Sequence, residues 1–300
     1  MIFLNKKEEN AMIRLVVSDM DGTLLNSASQ ISLKNQKAIQ KLKDHHIDFA
    51  IASGRDFDGV YSIMHEYGLS CEAILGNGAQ YVDQDGHLIM SCYMDKKVLK
   101  DVVKIFVDRH IPYMIFTTQG FYTGYEPEFV RQSFIERTIA RFGGSQEDYE
   151  EGGIRANVPC NQLKQIHDFD DFINRDLDII KVEAFSLDPQ VIIPTKELLK
   201  DVPSISYLSS FIDNVEVTDQ NAQKGFILEK VIKQKGFNKE EVMVLGDGMN
   251  DLSLFECFPY SYAPKNAEKT IQDLAYRIVK DCDEDGFSEA IDMMLEDFVK

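Results

Sequence analysis

Three stretches of this chain share one design: a short, unbroken apolar run that stops abruptly at small or acidic residues. "IRLVVSDMDGT" runs into Asp19 and Asp21, "IDFAIASGR" into Ser53 and Gly54, and "EVMVLGDGMND" into Asp247, Asn250 and Asp251. A run without polar alternation suits a strand covered on both faces, the situation of a parallel sheet flanked by helices. Parallel neighbours need crossovers, and the sequence supplies candidates. Ser32 is placed to cap a helix carrying Leu33, Ile39 and Leu42, "VYSIMHEYG" reads as a second helix ending at Gly68, and "EAILGNGA" reads as a third strand with a glycine turn. Strand, helix, strand, helix, strand predicts an α/β protein with a doubly wound parallel sheet.

That rhythm lapses between about Tyr81 and Asp219. Hairpin-like pieces appear there, around Asp85-Gly86 and Gln119-Gly120, beside the helical pattern "DKKVLKDVVKIFVDRH" and the strand-like "DIIKVEAFS" and "NVEVTD". An α+β insertion fits this stretch. From Lys224 the first rhythm returns: "GFILEKVIKQKG" ends a helix at Gly236, "EVMVL" repeats the buried-strand design, and "YRIVKDCDEDG" reads as a closing strand and turn. The expected organisation is a short extension over 1–11, a core made of 12–81 and 219–300, and an inserted domain over 82–218. The adjacent pair His45-His46 falls where a helix should end, and a cation there suits the helix dipole better than it suggests a metal ligand.

Ligands of open α/β sheets gather outside the carboxyl ends of the strands, so the residues closing each apolar run belong together. Two carboxylates as close as Asp19 and Asp21 repel by about 4 kcal/mol at 4 Å and an effective dielectric near 20. A cation between them resolves the conflict. Carboxylates alone are hard oxygen ligands, which suit Mg²⁺ bound together with a phosphate. With the ion in place, one carboxylate can attack phosphorus, dividing one difficult displacement into two easier ones, while another handles protons. Ser53 offers a hydroxyl and Gly54 an uncrowded N–H for phosphate oxygens, and Lys224 adds an ammonium at a helix start. Taken singly, Ser53 would be a helix cap, Lys224 a surface lysine and Asn77 a turn residue. For Ser53 and Lys224 their company changes the reading, while Asn77 stays a turn residue, although it would lie on the same sheet edge.

A net charge of −18 argues against a nucleic-acid footprint and against adhesion to anionic membranes, and it means that an anionic substrate needs local cations. No apolar run reaches the length of a membrane span, and "MIFLNKKEEN" does not resemble a secretory leader. The five cysteines (Cys71, Cys92, Cys160, Cys257, Cys282) are scattered without C-x-x-C spacing, as inert reduced thiols would be. A cytoplasmic protein is expected.

At this point the chain resembles the haloacid dehalogenase-like superfamily, Cof-like phosphatase branch. "DMDGTLL" resembles the first family motif, "ASGR" the second, Lys224 in "QKGFIL" the third and "GDGMND" the fourth, in order and with a large insertion between second and third. "APKNA" and "DCDEDGFSEAI" resemble this branch near its C-terminus. The resemblance implies a Rossmann-like parallel-sheet core with an α+β cap domain. It implies that Asp19 is the nucleophile and Asp21 the general acid/base, that the Asp19 side chain and Asp21 backbone carbonyl hold Mg²⁺ with Asp247, and that Asp251 orients that site or binds a metal water. Ser53, Gly54, Lys224 and Asn250 would hold the phosphoryl group. The expected activity is hydrolysis of small phosphorylated metabolites by a monomer or homodimer. The rival enzyme reading is a phosphomutase or other phosphotransferase. Rival non-enzyme readings are a receiver-like regulator and an inactive phosphate-binding relative.

Overall fold

The computed structural model describes residues 12–150, 158–209 and 212–298; the expected extension over 1–11 lies outside the described residues. The chain divides into two compact units, one formed by Met1–Ala52, Leu228–Asp247 and Asp251–Lys300, the other by Ser53–Ile227 with Gly248–Asn250. These units are grouped by contact, and their boundaries differ from those expected at 81/82 and 218/219. The proposed division into core and cap rests on the sequence pattern.

In the first unit, the Leu15–Ser18 strand pairs in parallel with Val242–Leu245 on one side and with Asp48–Ala52 on the other. Tyr260–Pro264 and then Arg277–Val279 extend the sheet beyond Val242–Leu245, again in parallel. Every residue of Leu15–Ser18 and of Val242–Leu245 is buried, as continuous apolar runs require. The chain leaves Leu15–Ser18 toward one edge and later returns to its other side. These two strands therefore flank a topological switch point, where open α/β sheets bind ligands.

Helix Leu33–Asp44 begins as expected, with Ser32 Oγ accepting from the Asn35 N–H at 3.1 Å, and His45 occupies its C-cap. It packs against helix Gly286–Phe298. The expected last strand and turn form, as the strand Arg277–Val279 and a 3-10 turn over Cys282–Glu284, and that last helix follows them without having been expected. Its buried Phe287, Ala290, Ile291 and Met294 fall at i, i+3, i+4 and i+7, a helical stripe. The Tyr260–Pro264 strand was not foreseen either, because "YSYAP" lacks a β-branched run.

In the second unit, a six-stranded sheet runs in the order Ile205–Leu208, Asn214–Asp219, Ile179–Phe185, Tyr113–Thr117, Gly120–Thr123 and Leu163–Gln165. All neighbours are antiparallel except the last pair. Both expected hairpins form, at Gln80–Val82 with Leu88–Ser91 and at Tyr113–Thr117 with Gly120–Thr123. Helices Lys96–Asp108 and Pro189–Leu199 share a core with one face of the large sheet, through Leu99, Val102, Phe106 and Ile192 against Val182, Ala184, Val215 and Val217. Strand alternation turns the intervening Lys181, Glu183, Asn214 and Glu216 to the opposite face, and all four are buried there. Among the described residues, no helix is long and apolar enough to cross a membrane.

Candidate active site

Asp19 is the first residue beyond its strand, and its N–H still donates to the Leu245 carbonyl at 2.9 Å. That bond ties the two strand ends of the switch point together. One carboxylate oxygen from each of Asp19, Asp247 and Asp251 lies within 4.8 Å of the others. Asp19 and Asp251 are buried and Asp247 is partly so. Thr23 Oγ1 donates to Asp247 Oδ1 at 2.8 Å, and the Asp247 N–H donates to Asp251 Oδ2 at 2.9 Å. Gly22 allows this approach. Its φ is +80°, and a Cβ there would stand 2.5 Å from Asp247 Oδ2, so a side chain would both strain the backbone and displace the carboxylate.

Three close carboxylates gather mutual repulsion of several kcal/mol that a divalent cation reverses. The donor set is entirely hard oxygen, drawn from two distant stretches of chain, and it fits Mg²⁺. Asp21 stands apart from this group. The strand stops at Ser18, Met20 is fully buried, and Asp21 makes a backbone bridge with Leu25. The chain thus turns at Met20, between Asp19 and Asp21, so the regular alternation of a strand does not apply to their two side chains. Two other close acidic groups have local explanations. Asp83 accepts from the Asp85 and His87 N–H groups in a hairpin turn, and Asp281 accepts from Asp283 at the start of a 3-10 turn.

The remaining expected residues lie in the second unit. Ser53 is buried; its N–H donates to the Ile74 carbonyl at 2.8 Å and its carbonyl accepts from Asn77 N–H at 3.0 Å. Helix Phe57–Glu66 is capped by Asp56, which accepts from the Gly59 N–H at 2.9 Å, so the reading of Ser53 as a cap is displaced. A Cβ on Gly54 would stand 2.8 Å from Asn77 Oδ1 and 3.3 Å from Glu216 Oε2. Asn77 is a turn residue, with φ of +60°, and it is also buried and doubly bonded: its Nδ2 donates to Glu216 Oε2 at 2.8 Å and its Oδ1 accepts from Asn250 Nδ2 at 3.2 Å. Lys224, the first residue of helix Lys224–Lys235, is fully buried, which overturns the surface-lysine reading. An ammonium is kept from water only where other groups compensate it.

Sequence reasoning missed the charged residues around Glu216. Lys181 Nζ lies 2.6 Å from Glu216 Oε2 and 3.6 Å from Glu183 Oε2, while Arg137 pairs with Asp213 at 2.7 Å and reaches Glu183 at 4.0 Å. Burial pulls the Lys181 pKa down, and the Glu216 and Glu183 carboxylates outweigh it, so the net shift is upward. The signal was in the strands themselves. "KVEAF" and "NVEV" alternate charged or polar with apolar residues, where a strand facing water on one side would be the ordinary reading.

The haloacid dehalogenase-like hydrolase family model matches residues 16–291. The chain is similar to the phosphatase YwpJ of Bacillus subtilis (strain 168), at 27% identity over 289 residues, covering 94% of this chain and 100% of that one. It is also similar to the 5-amino-6-(5-phospho-D-ribitylamino)uracil phosphatase YwtE of the same organism, at 25% identity, covering 94% and 98%. A solved haloacid dehalogenase-like hydrolase from B. subtilis superposes with a TM-score of 0.81 at 25% identity, covering 93% of this chain and 99% of that one.

Proposed function

The chain belongs to the haloacid dehalogenase-like hydrolase family, and we propose that it is a Mg²⁺-dependent phosphatase of small phosphorylated metabolites working through an aspartyl-phosphate. The observation that carries this reading is the meeting of Asp19, Asp247 and Asp251. These three carboxylates, with the Asp21 backbone carbonyl, would hold Mg²⁺. When bound, the ion neutralises substrate and carboxylate charge so that one anion can approach another.

The chain's own residues then divide the work. An Asp19 carboxylate oxygen attacks phosphorus, forming the aspartyl-phosphate as the bond to the leaving oxygen breaks. Asp21 gives that oxygen its proton. In the second half, Asp21 takes a proton from water, whose oxygen attacks the aspartyl-phosphate, releasing inorganic phosphate and restoring Asp19. Ser53, the Gly54 N–H, Lys224 and Asn250 hold the phosphoryl oxygens, where donors set in place beforehand stabilise developing charge most. Burial of Ser53, Lys224 and Asn250 supports such pre-organisation.

The proposed setting is the cytoplasm, and the proposed partner is a free sugar phosphate or phosphorylated cofactor precursor. The relative named for 5-amino-6-(5-phospho-D-ribitylamino)uracil supports testing phosphorylated polyols first. The test is a panel of phosphorylated metabolites assayed for phosphate release with and without chelator. Chelator-sensitive release that Asp19→Asn abolishes is the expected result. Full hydrolysis by Asp19→Asn would overturn the reading, and production of an isomer in place of free phosphate would favour a phosphomutase.

A further inference from the structure

Glu183 and Glu216 stand directly opposite each other on neighbouring antiparallel strands, and both are buried. Like charges in that register destabilise a sheet. Lys181 compensates part of the conflict, since it contacts both carboxylates from the same face. Two apolar residues would satisfy the fold more simply, so the buried carboxylate at 216 calls for another purpose.

We propose that Glu216 is a positioning residue that orients Asn250 for phosphate binding through the side chain of Asn77. The reasoning follows from what each group can donate. An ionised carboxylate held by Lys181 only accepts, so Asn77 must turn its NH₂ toward Glu216 Oε2, where the distance is 2.8 Å. Its carbonyl oxygen then faces the other way and can only accept, which requires Asn250 to present its own NH₂, at 3.2 Å. Each amide has two orientations that differ little in shape, and the carboxylate at one end selects one for both. The polarity ends at Asn250, whose second N–H is a donor suited to a phosphate oxygen. Gly54 belongs to the same arrangement, because the Cβ it lacks would stand against both Asn77 Oδ1 and Glu216 Oε2. The inference rests on the proposed phosphate-binding role of Asn250, and it adds a residue that none of the four recognised motifs contains.

The test is a double-mutant cycle on the binding of inorganic phosphate to the full-length, Mg²⁺-supplemented protein, measured by calorimetry, with hydrolysis of an aryl phosphate followed in parallel. Glu216→Gln keeps the size of the side chain but lets position 216 donate, which frees the Asn77 amide to turn. Glu216→Gln and Asn250→Ala are each expected to weaken phosphate binding about ten- to a hundredfold, the scale of one hydrogen bond to an anion. The double variant should bind no more weakly than Asn250→Ala alone. A purely structural role would instead make the two losses multiply, and that result, or unchanged binding by Glu216→Gln, overturns the proposal. Should Glu216→Gln not fold, Asn77→Gly removes the relay while keeping a residue at ease with positive φ, and the same cycle with Asn250→Ala decides. A wild-type protein that neither binds phosphate nor hydrolyses the aryl ester would refute the phosphatase reading and this inference with it. Normal wild-type activity with an additive cycle would refute this inference alone.

Discussion

Thr23 donates its hydroxyl to Asp247 Oδ1 at 2.8 Å, joining residues 224 positions apart in the chain. The threonine is buried, and the bond restrains the Asp247 carboxylate, which belongs to the acidic group. Outer partners of this kind change metal affinity about 10- to 100-fold when removed. Thr23→Val keeps the shape and deletes the donor. The Mg²⁺ concentration giving half-maximal activity should therefore rise by about one to two orders of magnitude, with the rate at saturating Mg²⁺ nearly unchanged. A titration of activity against Mg²⁺ reads both quantities, and an unshifted curve would refute the assignment.

Lys181 supports a second prediction, about stability. Replacing it by methionine leaves Glu216 and Glu183 buried and opposite each other, and breaking a buried ion pair from one side costs about 3–5 kcal/mol. Urea unfolding near pH 8 should show that deficit. The pH dependence has a definite sign. The Lys181 pKa is raised in the fold, so its contribution is fully present below the ordinary lysine value of 10.5 and is lost as pH rises through the raised one. The gap between wild type and Lys181→Met should accordingly narrow above the ordinary lysine range. A gap that widens with alkaline pH would contradict the pairing.

Much of the candidate site was legible because buried parallel strands write themselves as unbroken apolar runs, and the residue just past each run is where a sheet of this kind binds. Asp19, Ser53 and Asp247 each follow such a run directly or within two residues. The helix cap at Ser32 and the glycine turns at Gly68 and Gly86 were readable because left-handed backbone and cap geometry restrict residue choice locally. The network of Lys181, Glu183, Asn214 and Glu216 was not readable. Alternating charge in a strand ordinarily means water on that face, and only the tertiary fold turns it inward. Lys224 illustrates the same limit, since a lysine is surface until the packing around it is known. The closing helix was lost for a different reason: "DCDEDG" carried a strong turn signal, and it masked the helical stripe that follows.

The thiols offer a third check. Burial pushes Cys160 up to about 12, Cys257 up to about 11 and Cys282 up to about 12. Only the thiolate is a competent nucleophile, and at pH 8 groups with such values are ionised to roughly one part in a thousand or less. Iodoacetamide at pH 8 should leave these three cysteines of the native protein unmodified, whereas all five should react after unfolding in urea. Mass spectrometry of the digested protein reports each site. Rapid alkylation of Cys160 in the native state would show that its surroundings are more open than described.

The proposed division of labour between the two aspartates of the first motif can be separated by choice of leaving group. Asp21 lies outside the three-carboxylate group, so its loss should spare metal binding and the first displacement more than its closeness to Asp19 in sequence suggests. With p-nitrophenyl phosphate the departing phenolate needs little help from an acid, and Asp19 of the Asp21→Asn variant should still be phosphorylated. The second half needs a base to activate water, and general-base catalysis is worth about 10²–10⁴-fold. Asp21→Asn should thus release about one equivalent of nitrophenolate per site in a rapid burst and then stall, with phosphate retained on the protein. Stopped-flow absorbance measures the burst, and mass spectrometry locates the added phosphoryl group at Asp19. Slow, linear release without a burst would show that Asp21 is needed for the first displacement even when the leaving group departs without a proton, which contradicts this division of labour, and a phosphoryl group found on any other residue would refute Asp19 as the nucleophile.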